Sequence, residues 1–381
     1  MIIMKIAMFT DAYRPQINGV VTSIENFSTE LRKMGHDVVI FAPKSVQNTK
    51  DDLYTYRFSS VPFRAYKEYR IAVPYQIVTD TKIPKDFDIV HVHSPFSLGF
   101  LGLRFAKHYG IPSVGSFHTL FPEYPHYAVG RLSRLKEIRH AFRRVTWTYL
   151  SRFYNQCSAV ISPSETMTKE ITLHGIKNIF TVPNGVKQRK IYGSKKSIRK
   201  SYGFANDDKI MLHVGRITKE KNIDFIIKTL SESLKNNANY KLIIASDGPY
   251  RKSIEELAEK LNLKGNVIFT GYLDDKKLED YYSLADVFLM ASRSETQGLV
   301  LVEAAMAMLP SVVLDAPVIG DFVKENGTGI AAKEADFATA VDAMIKQKPR
   351  NIEKKCIAAA KKYEIQRCAR QLLKVYESVR R

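Results

Sequence analysis

The chain has 381 residues, 45% of them hydrophobic, with 58 lysines and arginines against 39 aspartates and glutamates, a formal net charge of +19. That length exceeds what one compact core fills and points to two domains, and the hydrophobic content is that expected of a soluble globular protein. So large a positive charge implies an anionic partner, either a polyanion or an acidic lipid surface.

The opening stretch, MIIMKIAMFTDAYRP, is broken by Lys5 and Asp11 and lacks a long apolar run followed by a small-residue cleavage site. The expectation is a protein that stays in the cytoplasm. KIAMF reads as a strand, followed by a turn-rich loop through Pro15 and Gly19, a helix ending near Gly35 and the strand DVVIF, which together make a βαβ unit. In the loop DAYRPQINGV, Gly19 has no side chain to keep a phosphate from its amide, although a single glycine is a weak signal.

Strands are expected next at IVHVH (89–93), SVGSF (113–117), AVISP (159–163) and IFTVP (179–183), with helical segments between most of them. This alternation predicts a parallel sheet covered on both faces. His118 follows a strand end, a usual address for catalytic or substrate-orienting side chains, though a lone histidine is also often structural. Asp86-Phe87-Asp88 has the form of a divalent-metal string but runs straight into an apolar strand and reads as a strand boundary. His91 and His93 point to one side of that strand with no third ligand evident, and Cys157, Cys356 and Cys368 share no metal-ligand spacing. Neither a metal nor a disulfide framework is expected, the cysteines reading as unpaired packing residues.

From Arg131 to Arg152, Leu132, Leu135, Ile138, Phe142, Val145 and Tyr149 recur at helical spacing. Arg131, Arg134, Lys136, Arg139, Arg143, Arg144 and Arg152 occupy the other faces against one acid, Glu137. At about 1 kcal/mol per cation, such a helix would hold a protein at an anionic leaflet. An ordinary amphipathic helix with a solvated basic face accounts for the same pattern.

A polar, lysine-rich segment, Lys187 to Lys200, reads as a linker, after which the alternation restarts with IMLHV (210–214), KLIIA (241–245), NVIFT (266–270), VFLMA (287–291) and SVVL (311–314). The fold class expected is therefore α/β, two doubly wound Rossmann-like domains facing across a cleft, residues 1–187 and 188–362, with ligands at the carboxyl ends of the strands. In HVGRITKEKN, Gly215 and Arg216 follow a strand and Lys221 stands where the next helix begins. The two cations suit a diphosphate leaving group, and equally read as solvated loop charges. The turns SDGPY and FTGYL, the latter with Gly271, lie at neighbouring strand ends.

Residues 297 to 318 look apolar enough for a membrane span until Glu303, Pro310 and Asp315 interrupt them. Within SETQGLVLVEAAM, a helix starting near Gly298 would point the amides of Gly298, Leu299 and Val300 outward, a geometry that favours a phosphate oxygen. Glu303, a turn later, is placed to grip a vicinal diol such as a ribose, while Glu295 stands in the loop before the helix. The layout fits a nucleotide diphosphate sugar, and also a buried helix preceded by one solvated acid.

With SETQGLVLVEAAMA, VGRITKEKN, FTDAYRPQINGV, IVHVHSP, SFHT, ISPSE and VPNGV present, the chain resembles the retaining glycosyltransferases of family 4, which have the two-domain GT-B fold. The resemblance implies that Glu295 lies near the donor sugar, Glu303 on the ribose, Arg216 and Lys221 on the diphosphate and His118 beside the reacting carbon. Gly19 resembles the loop glycine whose backbone touches the phosphates, although Asn18 stands where the family often has a second glycine. The segment 363–381 looks like the family's C-terminal helix, which crosses back onto the first domain. FHTLFPEYPHYA with the basic helix looks most like membrane-associated enzymes that glucosylate diacylglycerol, with mannosyltransferases next; DAPVIGDFVKENGTG departs from the frequent Gly-Gly-x-x-Glu turn.

The resemblance thus implies transfer of a hexose, glucose from UDP-glucose, to a lipid hydroxyl, by a protein peripheral on the cytoplasmic face of the membrane and needing no cofactor. A mannosyl- or other hexosyltransferase with a soluble or polysaccharide acceptor is the alternative. A non-catalytic polyanion-binding protein would explain the charge but leave the phosphate constellation idle, and with no recognised reading motif in the basic helix no nucleic-acid partner is expected.

Overall fold

The computed structural model describes residues 3–45, 53–62, 70–73, 83–188, 194–235 and 237–380. Two compact units emerge, one comprising Met1–Gly185 with Ile365–Arg381, the other Val186–Glu364.

In the first unit the strands are β1 (Lys5–Phe9), β2 (Asp37–Pro43), β3 (Thr55–Phe58), β4 (Ser60–Pro62), β5 (Arg70–Ala72), β6 (Ile89–Val92), β7 (Ser113–Ser116), β8 (Ala159–Ser162) and β9 (Ile179–Thr181). Helices α1 (Gly19–Lys33), α2 (Ser97–Tyr109), α3 (Pro125–Val129), α4 (Lys136–Tyr154) and α5 (Glu165–Leu173) are interleaved with them. Among the described residues, seven strands form a parallel sheet in the order β3-β2-β1-β6-β7-β8-β9, and β4 pairs antiparallel with β5.

Ile6, Met8, Phe9, Ile89, Val90 and Val92 are fully buried, as helices on both faces of a parallel sheet require. Each such side chain contributes about 1.5–3 kcal/mol over its exposed state. Local chemistry sets the helix ends. Asn18 accepts hydrogen bonds from the amides of Val20 and Val21 to start α1, and Gly110, at φ 65°, closes α2 in the left-handed conformation.

The second unit holds β10 (Lys209–Val214), β11 (Tyr240–Ala245), β12 (Val267–Gly271), β13 (Val287–Met290), β14 (Ser311–Leu314) and β15 (Gly329–Ala332). Its helices are α6 (Lys195–Ser201), α7 (Ile223–Ser233), α8 (Arg251–Lys260), α9 (Asp275–Leu284), α10 (Leu299–Met306), α11 (Ile319–Asn326), α12 (Phe337–Lys346) and α13 (Ile352–Lys362). The described strands are all parallel, ordered β12-β11-β10-β13-β14-β15. Order reverses between β10 and β13, the position at which such sheets bind ligands beyond their strand ends.

The last helix, α14 (Ile365–Val379), belongs to the first unit, packing Leu372, Leu373 and Tyr376 into its core alongside α1. All three cysteines are buried.

The structure corrects two expectations. Part of the lysine-rich linker, residues 189–193, lies outside the described residues, but Lys195–Ser201 is helix α6, and both Lys195 and Arg199 pair with Asp286. Strands β3 and β15 complete the two sheet edges unannounced, because TYRF is only half-buried and GIAA carries mostly small side chains, so neither shows an apolar run.

Candidate functional site

In the second unit, the carboxyl ends of β10 and β13 carry the residues singled out above. The chain leaves β10 through Gly215 at φ 150°, where a Cβ would stand 3.6 Å from His213 Nε2. It then runs through Arg216 into a 3₁₀ turn, Lys219–Lys221, and enters α7 at Asn222, itself left-handed at φ 55°. The 246–250 loop braces this segment: Ile217 N donates to Asp247 O at 2.9 Å and Tyr250 N to Ile217 O at 3.0 Å. Only glycine fits at 248, because a Cβ would come within 2.3 Å of Ile217 O. Gly271, left-handed at φ 71°, ends β12 beside Ser246, near the Arg251–Asp247 ion pair.

Lys221 Nζ pairs with Glu295 Oε1. The groups assigned to diphosphate and sugar thus meet directly, and each supplies the counter-charge of the other. Gly298, at φ 76°, is the N-cap of α10 and contributes no side chain, so Leu299 and Val300 form the uncapped first turn. Glu303 is 8% exposed, and its Oε2 accepts from Tyr282 Oη at 2.9 Å. Sequence reasoning missed Tyr282; its place on α9 gives no local signal of a partner 21 residues away.

In the first unit, Gly19 is the opening residue of α1, and the next two amides belong to the Asn18 cap. His118 stands just beyond β7, with Nε2 3.0 Å from His93 Nδ1. His91 on β6 and His93 just beyond it pack with ring centroids 3.9 Å apart and planes tilted by 34°. His91 contacts Tyr376 Oη through Nδ1 at 2.6 Å and Ser116 Oγ through Nε2 at 2.8 Å. Burial lowers His118 to about 4 and His91 to about 3, and pushes His93 well below the usual imidazole value. All three rings are neutral at neutral pH.

The aspartates of the Asp-x-Asp string are engaged structurally, Asp86 with Lys5 and Asp88 with the Lys5 amide and Arg380. Among the described residues no His, Cys, Asp and Glu side chains cluster as metal ligands.

Helix α4 differs from its expected packing. The helix starts only at Lys136, after a 3₁₀ turn over Gly130–Arg134, and its buried face is Trp147, Leu150, Phe153 and Tyr154. The expected stripe is largely open: Val145 is 68% exposed and Leu132, before the helix, 57%, Leu135 and Tyr149 are exposed as well, and Ile138 and Phe142 are half-buried. The stripe marks a surface and not the core contact. Arg134, Lys136, Arg139 and Arg144 are exposed, and Arg143 pairs with Glu123 at 3.1 Å. The side chain of Arg131 lies outside the described residues. No described helix is long and apolar enough to cross a membrane.

Two family models cover the chain, Glycosyltransferase Family 4 over residues 17–189 and Glycosyl transferases group 1 over residues 194–363. The chain is 33% identical to the alpha-monoglucosyldiacylglycerol synthase of Streptococcus pneumoniae, covering 89% of this chain and 77% of that protein. Its identity to a GDP-mannose-dependent alpha-mannosyltransferase of Corynebacterium glutamicum is 26%, over 88% and 78% of the two chains. Among solved structures, Anabaena Alr3699/HepE in complex with UDP-glucose superposes with a TM-score of 0.76 at 16% identity, covering 98% of this chain and 100% of that one, a likeness of GT-B fold. The chain is a glycosyltransferase and belongs to glycosyltransferase family 4.

Proposed function

We propose that the chain moves glucose from UDP-glucose to the hydroxyl of a diacylglycerol-type lipid at an anionic membrane surface, retaining the α configuration. Its seat is the cytoplasmic face of the cell membrane. The supporting relationship is the 33% identity to a protein whose name specifies an α-glucosylated diacylglycerol. The observation that carries the lipid acceptor is α4 with the turn before it, where Leu132, Leu135 and Val145 are exposed among exposed cations.

In this reading the bond between the anomeric carbon and the phosphate oxygen breaks first, leaving negative charge on the diphosphate. Arg216, Lys221 and the amides of Leu299 and Val300 stabilise that charge where it develops. Gly19, Gly215, Gly271 and Gly298 keep backbone close to the donor without obstructing it. Glu303, steadied by Tyr282, holds the ribose; Glu295 and the neutral ring of His118 hold the sugar. The acceptor hydroxyl attacks on the face the diphosphate is leaving, and its proton passes to the departing phosphate oxygen. No enzyme nucleophile takes part.

The 26% identity to a GDP-mannose-dependent enzyme supports a second reading, mannosyl transfer to a soluble acceptor through the same site. Radiolabelled nucleotide sugars offered with diacylglycerol in anionic vesicles, and with soluble acceptors in parallel, separate the two. Label from UDP-glucose in the organic phase is the expected result; label only in the aqueous phase overturns the lipid acceptor.

A further inference from the structure

We propose that His93 is a positioning residue for His118, fixing through its Nδ1 the orientation of the ring that holds the donor sugar. The inference rests on the role given to His118 under Proposed function. The two histidines extend neighbouring parallel strands, β6 and β7, whose register pairs Val92 with Gly115. Their ring planes lie within 14° of each other with centroids 5.3 Å apart, and the Nδ1 to Nε2 distance is 3.0 Å, so the two rings meet edge to edge through their nitrogens. Whichever ring carries the shared proton, the contact engages His118 Nε2 and leaves Nδ1 as the ring's other hydrogen-bonding atom. Flipping the ring of His118 would break the contact, so one orientation is selected.

His93 is itself held. Its ring also packs against that of His91 with centroids 3.9 Å apart, and the two nitrogens of His91 are tied to Tyr376 and Ser116. The side chain is 2% exposed and lines, with His118, Ala12 and Val20, a cavity of about 10 Å³, roughly the room of one water molecule. Its Nε2 is buried with no hydrogen-bond partner among the described residues. Burying a polar atom in that state is destabilising, so packing alone favours an apolar residue here. What an imidazole adds at this position is the bond to His118.

The variants His93→Phe, His93→Asn and His93→Gln test the proposal, with His118→Ala as reference. Asparagine puts a polar atom near the place of Nδ1, glutamine near that of Nε2. His93→Phe is expected to lower kcat about tenfold or more, with the KM for the nucleotide sugar changed less than about threefold. His93→Asn should restore most of the rate and His93→Gln should not. The double variant His93→Phe, His118→Ala should be no slower than His118→Ala alone, since the two residues act as one unit.

Equal rates for the asparagine and glutamine variants, or losses that add in the double variant, would overturn the role of His93. Thermal unfolding of each variant identifies any general loss of fold, which would strike the asparagine and glutamine variants alike. Full activity in His118→Ala would instead remove the reading of His118, and the proposal with it; a slow His118→Ala beside a wild-type His93→Phe removes only the proposal.

Discussion

Lys221 and Glu295 are 74 positions apart in the chain and form a partly buried ion pair between the loop after β10 and the loop before α10. A pair of this kind either ties two loops together or holds two charges ready for a ligand. Exchanging them, Lys221→Glu with Glu295→Lys, distinguishes the roles. The swapped protein should unfold within about 1 kcal/mol of the original, as expected of a pair with solvent access. Its turnover should fall about 100-fold or more, because a carboxylate then stands where diphosphate charge develops. Wild-type turnover in the swapped protein would sink the assignment of both residues.

Tyr282 gives a separable effect. Tyr282→Phe removes the hydroxyl that holds Glu303 and should raise the KM for the donor several-fold while kcat stays within about twofold, since a ribose contact serves ground state and transition state alike. The buried carboxylate also loses a donor, so unfolding should become easier by about 1–3 kcal/mol. Steady-state kinetics with chemical denaturation checks both; a kcat loss at unchanged KM would contradict the ribose role.

On α4 and the 3₁₀ turn before it, replacing Arg134, Lys136, Arg139 and Arg144 by glutamine should weaken sedimentation with anionic vesicles by about 100-fold or more, at ~1 kcal/mol per cation near the leaflet. Raising the salt concentration should mimic the change in the unmodified protein. Val145→Glu should weaken binding with little change in thermal stability, because the side chain is exposed. Binding to vesicles that ignores all five positions would exclude α4 as the contact.

Burial holds His91 at about 3 and both His118 and His213 at about 4, with His93 also lowered. In the unfolded chain these rings take up protons as pH falls below about 6.5. The folded chain does not do so until about pH 4, so the unfolded state binds more protons in between and stability drops as pH falls through that window. Above pH 6.5 their contribution is fully present. His36, also lowered by burial, acts in the same sense, and Asp11, whose carboxyl burial pushes up, acts in the opposite one, one group against five. The urea midpoint should therefore be level from pH 8 to 7 and decline from 6.5 towards 4, less steeply in His118→Gln. A midpoint that stays level across that range would contradict neutral burial of the cluster.

Much of this organisation was legible in the sequence because parallel strands buried on both faces read as continuous apolar runs. VFLM and SVVL were bounded closely for that reason. The edge strands β3 and β15 lack such runs, and their place is decided by pairing with β2 and β14. Residues around Gly215, Lys221 and Glu295 stood out because turn glycines and charges at strand ends are local signals. Their mutual pairing, the bond from Tyr282 to Glu303 and the contacts joining His91, His93 and His118 are tertiary facts that no spacing encodes. The open stripe of α4 shows the same limit: helical period identified an apolar face, but which face the core takes depends on Trp147, Leu150 and Phe153 finding partners elsewhere in the unit.

Helix α14 also has a consequence for how the molecule is made. Residues 186–364 form an uninterrupted stretch of chain set inside the first unit, which must wait for its last helix. A ribosome that has finished the second unit has not yet delivered Tyr376, so His91 lacks its hydroxyl partner and the core around α1 stays open. The later-starting unit is thus the earlier one able to finish folding, and a chain stopped near residue 364 would carry its defect in the half synthesised first.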